Sequence, residues 1–137
     1  MVQLLSRWPE RDPCIITSVF LLLIALYTVA RRPHAKELAV PLLIAGLAST
    51  VYRADRQLEG RPNAALFYAD LLCAMILFCA WAARASQRIE GALLCTVIAL
   101  FLTSWMFHFN SKPEWSCLVC VLAHVMSVPA AALFLTK

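Results

Sequence analysis

The run Ala64-Ala65-Leu66-Phe67-Tyr68-Ala69-Asp70-Leu71-Leu72-Cys73-Ala74-Met75-Ile76-Leu77-Phe78-Cys79-Ala80-Trp81-Ala82-Ala83 decides the fold. It holds one charged residue, Asp70. As a helix at about 1.5 Å per residue it is about 30 Å long, the thickness of a bilayer's hydrocarbon core. It therefore reads as a transmembrane helix. A carboxylate inside such a helix costs about 2.5–3.5 kcal/mol on insertion scales, so Asp70 is expected to be paired.

Outward from this run the pattern repeats. Hydrophobic residues make up 62% of the chain and charged residues 15%, and the apolar residues come in blocks rather than at helical spacing. That excludes an ordinary soluble domain and indicates an integral membrane protein. The blocks predict an all-α, polytopic membrane helix bundle, a single domain over 1–137, with spans at about 14–30, 38–52, 64–83, 91–107 and 115–135. The second span is short, about 23 Å as a helix against a core of about 30 Å. It is short enough to dip in as a re-entrant helix, but crossing is the expectation. Pro41 is expected in its first turn. Pro129, inside the fifth span, removes a backbone hydrogen bond and predicts a kink near Val125.

Between the spans lie polar segments. Residues 53–63 form a hydrophilic loop, 84–90 a tight turn, and 110–113 a turn in which Pro113 opens the last helix. Trp8 and Trp81 suit the membrane interface. Arg7 and Arg11 precede the first apolar block, which reads as a retained signal anchor. Lysines and arginines divide evenly between the two sides, so the positive-inside rule does not orient the chain. The net charge of +4 sits in short loops and suits anionic headgroups. No basic-aromatic stripe supports nucleic acid as a partner. Membrane lipids, and other membrane subunits or a second copy, are the expected partners.

Antiparallel spans bring the polar residues to one leaflet. Asp70 lies about 9 Å, Ser49 about 6 Å and His124 about 14 Å below the side that carries the 53–63 loop. His108 sits at the rim, and Arg53 and Arg56 lie above Asp70. Cys117, Cys120, His124 and Ser127 follow an i, i+3, i+7, i+10 pattern and share one face. Ala123, Ser127 and Ala131, spaced by four, permit close approach of another helix. The polar cluster is thus Ser49, Arg53, Asp70, His108 and His124. Cys14, Cys73, Cys79 and Cys95 fall in or beside apolar helices and read as packing thiols.

Three readings of the cluster compete. In the first it fixes helix packing in an accessory or structural membrane subunit, with no cofactor and no metal. In the second, Cys117 and Cys120 at the head of a helix are a catalytic dithiol, because a helix N-terminus favours the thiolate. Over about 63–135 the chain resembles the vitamin K epoxide reductase family in this respect. The resemblance implies quinone as cofactor, with Asn63 and His124 at the quinone site. The family's two shuttle cysteines have no counterpart in residues 31–63, so a partner would have to deliver electrons directly.

In the third reading, Ser49 with Arg53, then Asp70, then Cys120 with His124 resemble the alkaline ceramidase and progestin-receptor superfamily. That implies a zinc-dependent lipid hydrolase, with Asp70, Cys120 and His124 as the ligands. Arg53 and Cys120 stand where the family carries histidines. The packing reading is the one expected here.

Overall fold

The computed structural model describes residues 14–59, 63–110 and 113–136. Trp8, Arg7, Arg11, Arg61, Lys112 and the side chain of His108 lie outside the described residues. Five α-helices follow in order: α1 (Cys14–Arg31), α2 (Lys36–Glu59), α3 (Ala64–Arg84), α4 (Arg88–Phe109) and α5 (Pro113–Leu135). A single 3-10 turn, Pro33–Ala35, joins α1 to α2. All five helices are long and apolar enough to cross a membrane. No strand occurs among the described residues.

Two expectations about α2 are corrected. It is 24 residues long rather than short, and Arg53 through Glu59 continue the helix instead of opening a loop. Charge does not stop a helix; it only decides where the side chains go. Arg53 turns into the bundle, while Arg56, Gln57 and Glu59 lie toward its outside. Because α2 starts at Lys36, Pro41 lies inside the helix, and α5 likewise runs unbroken through Pro129. The polar turn between α3 and α4 is also shorter than read, since the helix resumes at Arg88.

Helix ends are satisfied locally. Asn63 caps α3, its Oδ1 accepting from the Ala65 and Leu66 amides at 3.0 and 3.4 Å. Glu90, in the first turn of α4, reaches back so that Oε2 accepts from the Ser86 and Gln87 amides at 2.9 and 3.2 Å. This is the acidic half of a capping box. It explains how a glutamate with 1% exposure is accommodated. On that same side Arg84 pairs with Glu37, and Arg32 donates to the Leu135 carbonyl at 3.4 Å.

Packing runs round the bundle in the order α3, α2, α1, α5, α4, and the loosest neighbours are α3 and α4. The buried stripe of α1 is Cys14, Ser18, Leu21, Ala25 and Thr28, spaced by three or four. Its counterpart on α2 includes Ala39, Leu42, Ala45, Gly46 and Ser49. Small residues on both helices let the backbones approach, the usual device where lipid removes the hydrophobic drive for helix association. A Cβ on Gly46 would lie 3.3 Å from both the Leu22 Cα and N.

At the other end of the core Trp81 is fully buried, stacked on Phe134 at 5.1 Å, with its indole N–H donating to the Leu38 carbonyl at 3.5 Å. The interfacial role expected for Trp81 is therefore wrong. Its donor finds a backbone acceptor inside the bundle, so the ring needs no water. Outward-facing Ile16, Phe20, Leu23, Leu47, Met75, Leu102 and Leu122 complete the picture. Such an apolar surface marks an interaction face in water, whereas lipid tails cover it at no cost. The chain is a polytopic integral membrane protein.

Candidate functional site

Three pairs of residues four apart carry the site. Cys14 and Ser18 share a face of α1, Ser49 and Arg53 a face of α2, and Cys120 and His124 a face of α5. Asp70 joins them from the first half of α3. The level is the one toward which the end of α2 and the starts of α1, α3 and α5 all point. Ser49, Arg53, Asp70 and His124, which sequence puts at one side of the bundle, stand close together here.

Ser49 is the hub of the hydroxyl contacts. Its Oγ lies 3.1 Å from the Ser18 Oγ and accepts from the Arg53 Nε at 3.4 Å. It also shares a hydrogen bond with the Asp70 carboxylate. Arg53 is the hub of the charges. Its Nη2 donates to the Cys120 Sγ at 3.1 Å, and its guanidinium interacts with Asp70. Asp70 further interacts with His124 and Cys120. Of the partners that sequence offered for Asp70, Arg53, Cys120 and His124 are present together, Arg56 is not among the groups acting on it, and the His108 side chain lies outside the described residues.

His124 is 4% exposed. Its Nδ1 lies 2.8 Å from the Cys120 carbonyl oxygen and 3.6 Å from the Cys120 Sγ, and the edge of its ring meets Phe101 at 5.2 Å. A carbonyl only accepts, so in this rotamer Nδ1 carries the proton. Cys14 has no exposed surface. It hydrogen-bonds Cys120, and the ligand atoms of Cys14, Cys120 and His124 all lie within 4.8 Å of one another. Among the described residues no buried side-chain nitrogen or oxygen lacks a partner.

The other predicted residues sit elsewhere. Asn63 is exposed, with its carboxamide oxygen occupied as the α3 cap. Cys117 is half-buried near the start of α5, three residues before Cys120 on the same face. Arg56 hydrogen-bonds the Tyr52 hydroxyl, and Tyr52 meets Phe67 edge-on at 5.7 Å. Ser104 belongs to a separate reciprocal pair: its Oγ donates to the Ser116 carbonyl at 2.8 Å, and the Ser116 Oγ returns a bond to the Ser104 carbonyl at 2.9 Å.

Cys14 and Ser18 are the site residues that sequence reading missed. Their spacing of four, on the stripe that also holds Leu21, Ala25 and Thr28, was the available signal. What sequence lacked was the adjacency of α1 to α5. In comparisons with known proteins, no family model, no curated protein and no solved structure matches the chain. The two family resemblances therefore rest on their residues alone.

Proposed function

We propose that this protein is a non-catalytic accessory subunit of a membrane, in which one buried polar cluster fixes how four helices pack. One observation carries the reading: the Arg53 guanidinium stands in the middle of the cluster, bonded to Ser49 and Cys120 and interacting with Asp70. Groups that a hydrolase or an oxidoreductase would keep available are instead spent on one another. Ser49 is taken up by Ser18, Arg53 and Asp70, and the Asn63 oxygen is held by the α3 cap. A guanidinium is always charged and offers five donors, which suits it to hold several helices at once. The lipid-facing apolar residues leave the outer surface for lipid, for a second copy or for another membrane subunit.

The convergence of Ser49, Asp70 and His124 favours a second reading, a lipid hydrolase-like protein. The dithiol-quinone reading draws less support, since Cys120 faces Cys14, Arg53 and His124. The test is turnover by protein reconstituted in vesicles, offered ester- and amide-linked lipids in one assay and quinone with a dithiol in another. The expected result is no rate above protein-free vesicles in either. Lipid hydrolysis lost in Asp70→Asn, or quinone reduction lost in Cys117→Ser, would overturn the proposal.

A further inference from the structure

We propose that Cys14, Cys120 and His124 form a zinc-type divalent metal site that clasps α1 to α5. Two sulfurs and an imidazole are the donor set that selects zinc over magnesium, calcium or manganese. Zn–S bonds of about 2.3 Å and a Zn–N bond of about 2.0 Å at tetrahedral angles place ligand atoms about 3.5–4 Å apart. The three donors already lie within 4.8 Å of one another. To bind, His124 presents an unprotonated ring nitrogen: either Nε2 as it stands, or Nδ1 after its proton moves to Nε2 and its bond to the Cys120 carbonyl is given up.

The surroundings also fit. The Arg53 Nη2 donates to the Cys120 Sγ at 3.1 Å, the outer-shell hydrogen bond that orients a metal-bound thiolate. Charge balances inside the bundle. When the metal enters, Cys14 and Cys120 each release the thiol proton. Two thiolates and the Asp70 carboxylate then carry three negative charges, against three positive ones on the metal and Arg53. Neutrality matters here, because uncompensated charge at this depth is costly. The site adds to the packing role of Arg53 without depending on it, since it joins α1 to α5 through residues other than Ser49 and Asp70.

The experiment uses the full chain in detergent, stripped with a chelator and titrated with cobalt(II) and then zinc. One equivalent of cobalt is expected to bind, with a thiolate-to-cobalt charge-transfer band in the near ultraviolet that zinc abolishes. The band is expected to be lost in Cys14→Ser and in Cys120→Ser, weakened in His124→Ala, and unchanged in Cys117→Ser. A second readout needs no variant: zinc protects half-buried Cys120 of the wild-type protein from alkylation, while outward-facing Cys79 and Cys95 react at the same rate with or without it. Equal alkylation of Cys120 in both conditions overturns the site, as does a cobalt band that survives Cys14→Ser. Either failure leaves the packing reading intact, because that reading is tested by turnover and by Arg53 variants.

Discussion

Arg53 and Gly46 lie seven residues apart on one helix and show two ways a single residue governs a membrane bundle. Arg53 works by charge: at 8% exposure its guanidinium is held by Ser49, Cys120 and Asp70. Gly46 works by having no side chain. A Cβ there meets the Leu22 backbone at 3.3 Å, and backbone retreats only if α1 moves off α2. We predict that Gly46→Val lowers stability by about 1–3 kcal/mol, the usual cost of overpacking. Gly91 is the control. It lies in α4, and a Cβ added there would meet nothing within 4 Å, so Gly91→Ala is expected to raise stability by about 0.4–1 kcal/mol. Unfolding of both variants in mild detergent checks the pair.

At the scale of the helix, ends and pairings decide which segments hold. The start of α4 depends on Glu90, whose Oε2 takes two amide protons from Ser86 and Gln87. Glu90→Ala is predicted to cost about 0.5–2 kcal/mol, the usual cost of losing a helix cap. Amide hydrogen exchange should show the loss as faster exchange at 86–91 with little change in α1. The reciprocal Ser104–Ser116 bonds tie α4 to α5 near their connection. Hydrogen bonds between membrane helices average only about 0.6 kcal/mol, so Ser104→Ala is expected to have a small effect, visible as a modest drop in the unfolding midpoint.

Helix existence was legible in sequence, because five apolar blocks have one physical explanation in a chain this poor in charge. Helix ends were not. Arg53–Glu59 and Arg88–Glu90 are polar yet helical, since hydropathy reports the membrane and not the backbone conformation. Trp81 was misplaced for a related reason: its position near a helix end suggested the interface, but Phe134 and the Leu38 carbonyl claim it.

For the whole molecule, antiparallel threading alone brought Ser49, Arg53, Asp70 and His124 to one level. Their meeting needs only helix direction and depth, which sequence supplies. Cys14 joins them because α1 packs against α5, a lateral neighbour relation that periodicity does not encode. The resulting cluster draws on α1, α2, α3 and α5, and the charge of Arg53 acts on half-buried Asp70 from a different helix. Breaking a buried pair strands a charge at a cost of about 3–5 kcal/mol, whereas replacing both partners with apolar residues is often neutral. The most direct test of the packing account is therefore a double-mutant cycle on reversible unfolding in bicelles, using Arg53→Met, Asp70→Leu and the two combined. The account predicts that each single variant loses several kcal/mol and that the double variant recovers most of it. Additive losses, or single variants as stable as the wild type, would contradict it.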